Sequence, residues 1–575
     1  MNAELLLAHF DRISDAPDAV VHLRKFILDL AVRGKLVDQN PDDESAEKLM
    51  RRITKNRSTA IVHGSELSIR FTPSEPAPFS LPSNWIWARL GSICSKTGSG
   101  STPRGGKSVY QQHGVAFLRS QNIYDDGLRL DDVAYIADET HEHMSGTAVE
   151  PGDLLLNITG GSIGRCCLVP QKMDQANVSQ HVAIIRVALS GTQFYLHKLV
   201  LSPYFQSFVM SEQTGAGRLG LPKNKMDLIP VALPPLPEQH RIVAKVDELM
   251  ALCDRLEAAQ REQEARREQL TASAHHHLNN GGDAGELRAH VQFFIGYLPR
   301  LTKRPDQIKQ LRQTILNLAV RGKLVHQFEG DESVATLFRN IQEEQKQLIN
   351  QRVIKKRIYS DTSLSEEALI DIPEAWQFTA LGKLLVFGPQ NGISPTASSR
   401  PDAPRSITLT ATTSGTFKSD FYKQIEANVP LDSEFWLRDG DLLFQRGNTR
   451  EYVGIAAYYD GEPGVFLYPD LIIKVRLSKF MDLRYVHLCC VAPYARDYFG
   501  RHASGAQATM PKINHDILIN LPIPVPPLAA QHRIVTKVDE LMALCDKLEA
   551  NLCTTKTETS RLLESLLHHA LEASA

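Results

Sequence analysis

The chain has 575 residues, 42% of them hydrophobic, with 64 Lys+Arg against 66 Asp+Glu and a formal net charge of −2. That length supports several domains with real cores, and that charge balance excludes a polybasic coat spread along nucleic acid. Eight cysteines without a C-x-x-C pair, no signal-peptide pattern and no long apolar run predict buried thiols in a soluble, cytoplasmic protein with no membrane partner.

The first predicted element is a helical lead-in, residues 1–85. Within RKFILDLAVRGKLV (24–37) and just before it, Leu23, Phe26, Ile27, Leu30 and Ala31 fall at helical spacing, and the Arg33-Gly34 pair reads as a helix end. A β-rich insert, 86–235, opens after Trp85. It alternates short apolar runs with turn residues in GVAFLRSQNI (114–123), GDLLLNITGG (152–161) and HVAIIRVAL (181–189). The third element, 236–300, is a long helix and linker announced by the prolines of LPPLPEQ (233–239), which neither continue a strand nor sit inside a helix. Its stripe of Ile242, Val246, Leu249, Cys253 and Leu256 has the spacing of a coiled-coil seam, and the His275-His276-His277 run is expected to be a solvated tract after the helix end.

The same three elements then recur. A second lead-in, 301–376, carries RQTILNLAVRGKLV (312–325) with Ile315, Leu316, Leu318 and Ala319 at helical spacing. A second insert, 377–525, opens after Trp376 and includes GDLLFQRGN (440–448) and PDLIIKVRL (469–477). A second long helix, 526–575, begins after VPPLAAQ (525–531) and repeats the stripe as Ile534, Val538, Leu541, Cys545 and Leu548. Matched positions lie 288 apart at Leu30/Leu318, 291 at Trp85/Trp376 and 292 at Gln239/Gln531, so the chain is a tandem duplication with two divergent inserts. Asp153 and Asp441 share a Gly-Asp-Leu-Leu run, and Pro222-Lys223 and Pro511-Lys512 are read as equivalent, so the inserts share a fold. The expected architecture is α+β: two mixed α/β domains joined by two long antiparallel coiled-coil helices, pseudo-twofold symmetric, each seam burying the other.

Catalytic signatures nearly appear and fail. GAGRLG (215–220) lacks the strand-before, helix-after setting of a dinucleotide fingerprint. STPRGGKS (101–108) has Ser101 where a P-loop needs glycine, and His141-Glu142-His143 lacks the second-turn histidine of a zinc protease. No Asn/Asp-Pro-Pro-aromatic tetrapeptide of an amino-methyltransferase and no helicase motif set is present, so no catalytic residue, metal or cofactor is expected in this chain.

Polar clusters after apolar strands point elsewhere. Arg119, Gln121 and Asn122 in the first insert, and Gln390, Asn391, Gln445, Arg446, Asn448 and Arg450 in the second, are side-chain types that hydrogen-bond to base edges. Thr102, Arg104, Lys107, Arg218, Lys223 and Lys225, with Lys512 and Asn514, are suited to phosphate contacts that set register without reading sequence. The inserts are nearly neutral, 13 basic against 12 acidic residues over 86–235 and 15 against 14 over 377–525, so any nucleic-acid site is a local patch.

On LAVRGKLV twice, the Trp85 and Trp376 openings, FLRSQNI (117–123), GPQNGISP (388–395), GDLLFQRGN, MPKIN (510–514) and PPLPEQHRIVAKVDELMALCD with its second copy, the chain resembles the specificity subunits of type I restriction–modification enzymes over essentially its whole length. The resemblance implies two target recognition domains, each reading half of a split, asymmetric site in double-stranded DNA. It implies repeated helices that space them and dock two methyltransferase subunits, and motor/nuclease subunits that join the full complex. S-adenosylmethionine and Mg-ATP would be bound on those partners, and this chain would be non-catalytic. One departure is Ala529-Ala530 in place of Pro237-Glu238, which removes the acidic start of the second long helix. The competing reading is a coiled-coil scaffold carrying two ligand-binding inserts with no DNA role.

Overall fold

The computed structural model describes residues 18–60, 77–214, 219–280, 284–352, 354, 364, 370–504 and 510–572. Arg218 lies outside them, as does the side chain of Lys107. Two compact units are present: residues 1–263 with 555–575, and residues 264–554. The division falls inside both long helices, Leu236–Asn280 and Leu528–Glu572, each 45 residues long. Each unit is therefore completed by the tail of the other repeat's helix.

In the first unit the lead-in helix Ala19–Val32 ends in a Schellman turn. Gly34, at φ +70, donates its N–H to the Ala31 carbonyl at 3.4 Å, and Lys35 donates to Leu30 at 3.0 Å. The second unit repeats this after Pro305–Val320, with Gly322 at φ +68 donating to Ala319 and Lys323 to Leu318. The Arg-Gly signature is thus a turn that only glycine makes without strain.

The insert of the first unit is framed by β1 (Ile86–Arg89), antiparallel to β11 (Pro230–Leu233). Between them run β2 (Cys94–Ser99), β3 (Val115–Leu118), β4 (Ile123–Tyr124), β5 (Gly127–Leu128), β6 (Ala134–Ile136), β7 (Leu154–Asn157), β8 (Cys166–Leu168), β9 (Ala176–Val178) and β10 (Val182–Val187). They build a four-stranded sheet ordered β2-β10-β7-β8, a three-stranded sheet ordered β6-β3-β9 and a two-stranded sheet of β4 and β5. The second unit has β12 (Gln377–Ala380), β13 (Leu385–Asn391), β14 (Arg405–Ile407), β15 (Tyr422–Gln424), β16 (Asp441–Gln445), β17 (Ala456–Tyr458), β18 (Phe466–Leu467), β19 (Ile472–Leu477) and β20 (Pro522–Val525). Its sheets are β13-β19-β16-β17 and β15-β14-β18, with β12 paired to β20. The four-stranded sheets, the three-stranded sheets and the framing pairs coincide in order, and the β4-β5 pair belongs to the first insert alone among the described strands.

Shared buried polar residues hold both frames. Asp153 accepts from Arg186 and from the Glu150 N–H; Asp441 accepts from Arg476 and from the Arg438 N–H. Gln239 and Gln531, both fully buried, donate to the carbonyls of Pro234 and Pro526 and so tie each proline joint to its helix. Tyr195 and Tyr485 stand edge-on to Trp85 and Trp376 at 6.3 Å and donate to β11 and β20.

Three expectations need correction. Ile242, Val246 and Cys253, with Leu249 and Leu256 beside them, are covered within the first unit by Val20, Ile27 and the insert core; Ile534, Val538 and Cys545, with Leu541 and Leu548, are covered within the second by Ile308, Ile315 and its insert. The stripes do not bury one another, because a lead-in helix of the same repeat supplies the apolar partner. Ion pairs from Arg24 to Asp254 and Glu257, and from Arg312 to Asp546 and Glu549, flank these contacts. Second, the His275–277 run lies inside the long helix, and His275 is buried. Third, Pro222-Lys223 is not equivalent to Pro511-Lys512. Leu221 donates to the carbonyl of Ile158 as Ile513 does to that of Arg446, which matches Lys223 to His515 and Lys512 to Gly220.

Candidate nucleic-acid interface

The loops that leave the C-terminal ends of β7 and β16 and the N-terminal ends of β10 and β19 gather the polar residues of each insert. A buried amide organises each gathering. Asn157, the last residue of β7, donates to the Ser120 carbonyl at 2.9 Å and to Ser162 Oγ at 3.1 Å. Gln445, the last of β16, donates to the Leu409 carbonyl at 2.7 Å and to Thr412 and Thr413 hydroxyls at 2.9 and 3.0 Å. Each amide pins the short 3₁₀ turn that follows β3 or β14, Ser120–Asn122 or Leu409–Ala411. Gly100 and Gly392 close the other side. A Cβ on Gly100 would lie 1.9 Å from the Val178 carbonyl oxygen, and one on Gly392 would lie 2.0 Å from that of Tyr468.

This geometry separates the predicted residues. Asn122 and Gln445 are buried and committed to the fold. Asn122 caps the Arg119 N–H and donates to the carbonyls of Arg129 and Asp132. Neither amide has a free edge for a base, so both assignments are corrected. The two clusters also do not correspond: Gln121 and Asn122 follow β3, whereas Arg446 follows β16. Arg119 donates to the Asp132 carbonyl at 3.0 Å and Gln121 to the Asp132 carboxylate at 2.7 Å, so an acidic group sits beside both. Asn514 is spent as the N-cap of His515–Ile519, accepting from the Ile517 N–H at 2.8 Å.

In the second insert the structure brings the segment 446–448 beside Lys512 and sets Gln390 and Asn391 one strand away. Asn448 N–H donates to the Pro511 carbonyl and Ile513 N–H to that of Arg446, while Gly447 bridges Lys512, whose side chain lies on the Gly447 side. Asn448 also donates to Gln445 Oε1 at 2.6 Å. Asn391 Oδ1 lies 2.9 Å from His515 Nε2, and Gln390 accepts from the Tyr468 hydroxyl at 3.3 Å. Asn391 and Phe444 both pair with Ile473, so the β13 and β16 ends stand about 9–10 Å apart across β19. Arg450 and Lys512 are exposed and Arg446 is half-buried.

The first insert's surface differs. Thr102 hydrogen-bonds Gln180, Thr159 lies 2.7 Å from His181 Nδ1, and Arg104 is exposed. Lys223 pairs with Asp227, and Lys225 with Glu212 at 2.9 Å, which lowers the positive potential each presents to a phosphate. Arg129 and Arg165 both lie over the Tyr124 ring, at 5.0 and 4.7 Å. His181, Arg165 and Tyr124 escaped sequence reasoning because no motif spacing marks them.

Burial raises the Cys167 and Cys489 thiols to about 12, which keeps them protonated and unreactive at neutral pH. No group of His, Cys, Asp and Glu able to hold a metal ion occurs among the described residues. None of their helices is long and apolar enough to cross a membrane.

The family model described as "Type I restriction modification DNA specificity domain" matches residues 82–267 and 373–554, more than half of the chain. The chain is 27% identical to the type I restriction enzyme EcoEI specificity subunit of Escherichia coli, over 96% of this chain and 93% of that one. It is 26% identical to the EcoAI specificity subunit of the same organism, with the same coverage. A crystal structure of the HsdS subunit from Thermoanaerobacter tengcongensis aligns with 86% of this chain and 98% of its own, at 18% identity and a TM-score of 0.42. The chain belongs to the type I restriction–modification DNA specificity family and carries the specificity domain twice.

Proposed function

We propose that this member of the family is the non-catalytic reader of a split, asymmetric site in double-stranded DNA, with one half-site per insert. The observation that carries the reading is the pairing of one sheet frame with two unlike loop clusters. β7 and β16 end in equivalent buried amides, yet the surfaces beyond them differ: Arg446, Asn448, Arg450 and Lys512 in one, Thr102, Arg104, Thr159 and His181 in the other. A constant frame with variable tips fits readers of two different sequences. Arg446, with Gly447 beside it, and Gln390 or Asn391 would meet base edges, while Lys512 and Arg104 would meet phosphates.

The same proposal gives the two long helices a spacer role, relates the repeats by a pseudo-twofold, and assigns docking of two methyltransferase subunits to the repeated helices. Motor/nuclease subunits would join that core in the cytoplasm. S-adenosylmethionine and Mg-ATP would be used on the partners. Exchanging residues 86–235 for the same region of a relative, followed by mapping of methylated adenines in cells carrying the whole system, tests the modular part. One half-site should change while the other half and the gap stay. A change in both half-sites would defeat the one-insert, one-half-site reading.

A further inference from the structure

The two lead-in helices are alike and the two long-helix tails take equivalent places against them, but three equivalent buried positions in the seams carry opposite chemistry. In the unit of residues 264–554, the tail of the first long helix meets the second lead-in through polar pairs beside an apolar contact of Ala274 and Leu278 with Leu311. His275 Nδ1 lies 2.8 Å from Thr314 Oγ1, and Asn317 Nδ2 donates to Asn279 Oδ1 at 2.9 Å. Thr271 Oγ1 donates at 3.3 Å to the carbonyl of Leu301, the last residue of the helix Ala284–Leu301 that joins the long helix to the lead-in. Thr271, His275 and Thr314 are all buried, and burial pushes the His275 ring toward its neutral form. In the other unit the equivalent positions are Leu563, Leu567 and Phe26, which share one apolar cluster.

Each lead-in is sealed by the tail of the other repeat's helix. Two copies of a single repeat could in principle seal one another, because tail and lead-in are both present in each. In such a like-with-like pair of first repeats, His275 would face Phe26 and its ring would lose the Thr314 hydroxyl. In a pair of second repeats, Thr314 would face Leu567. A buried polar group without its partner is strongly disfavoured, whereas a matched polar pair and a matched apolar pair are both tolerated.

We propose that the polar seam of Thr271, His275 and Thr314 and the apolar seam of Phe26, Leu563 and Leu567 form a pairing code. The code makes unlike repeats associate and rejects a second copy of the same repeat. It rests on the proposed reading for its meaning at DNA: an unlike pair presents two different readers to a composite site, and a like pair would present the same reader twice to a palindromic one.

The test is the mass of the full-length protein in solution without DNA, by light scattering across a concentration series, so its outcome is independent of whether the inserts read DNA. T271L/H275L/T314F makes both seams apolar, and F26T/L563T/L567H makes both polar. Each should convert the single wild-type species into one accompanied by dimers of twice its mass, through like-with-like pairing. Combining all six substitutions exchanges the seams and keeps each matched, so it should restore one species of wild-type mass. Triple variants that keep the wild-type mass overturn the proposal. So does a six-fold variant no better behaved than either triple, including one that is equally insoluble.

Discussion

Gly34 lies against the edge of the Trp85 indole: a Cβ on Gly34 would stand 3.2 Å from Trp85 Cζ2 and 2.5 Å from Pro82 Cγ. The second repeat reproduces this, with Gly322 facing Trp376 Cζ2 at 2.9 Å and Pro373 Cγ at 2.7 Å. The helix-ending turn and the opening of the insert are one joint. Gly34→Ala should therefore cost at least about 1–2 kcal/mol, from the left-handed backbone and the displaced ring together. The urea midpoint of that variant measures it, and an unchanged midpoint would show that the joint yields freely.

Asp441 and Lys474 are both fully buried and lie 3.3 Å apart, with Arg476 also on Asp441 at 2.7 Å. Lys474 is further satisfied by the carbonyl of Trp436 at 3.0 Å. Burial lowers the lysine's pKa and Asp441 raises it. Asp441→Asn leaves that ammonium only the part-exposed Glu434 carboxylate, at 3.6 Å, as counter-charge and should destabilise the second unit by about 3 kcal/mol. Hydrogen exchange in β19 should accelerate, while β10, where Ile184 replaces the lysine, should be unaffected.

His197 and His487 occupy equivalent buried positions, with Nε2 3.1 Å from the carbonyls of Cys166 and Ala456 respectively. Burial lowers His197 to about 4 and moves His487 in the same direction. A histidine held neutral in the fold supports stability fully above its unfolded pKa near 6.5, and that support drains as pH falls toward the folded value. Between pH 7 and pH 4 the His197 contribution amounts to about 3 kcal/mol. Urea midpoints at pH 7 and 4.5 should differ accordingly, and His197→Asn should reduce the slope. A slope unaltered in that variant would assign the acid sensitivity elsewhere.

Gln445 and Arg446 are neighbours with separate predicted effects. Gln445→Ala removes the bonds that hold the Leu409–Ala411 turn and should weaken cognate and scrambled duplexes alike. Arg446→Ala should relax one position of a half-site, at about 1–3 kcal/mol of discrimination. Lys512→Ala should weaken all duplexes and flatten the salt slope by about one unit. Equal losses on cognate and scrambled DNA for Arg446→Ala would make it a phosphate contact.

Much of the frame was legible because duplication prints it twice. Gly34, Trp85, Asp153 and Gln239 each recur in the second copy, and each proves to hold a turn, a ring contact, an ion pair or a proline joint. The stripe on the long helices was legible as apolar but not as to its partner, since spacing reports a buried face and never what covers it. The loop residues were the least legible. Asn122 and Gln445 have base-reading chemistry, but a strand-end amide that pins a turn has the same composition, and only burial tells them apart. The Pro222/Pro511 match failed because a shared dipeptide outweighed the hydrogen-bond register that sets true equivalence.

The crossing of the long helices between units has a consequence during synthesis. Ala19, Phe26 and Leu30 are covered by Leu563, Leu566 and Leu567, more than five hundred residues later in the chain. At translation rates of about 5–20 residues per second, that apolar face waits roughly half a minute to two minutes for its cover. The nascent first repeat thus emerges from the ribosome with an open face, and chaperone occupancy there should persist until the last helix is released.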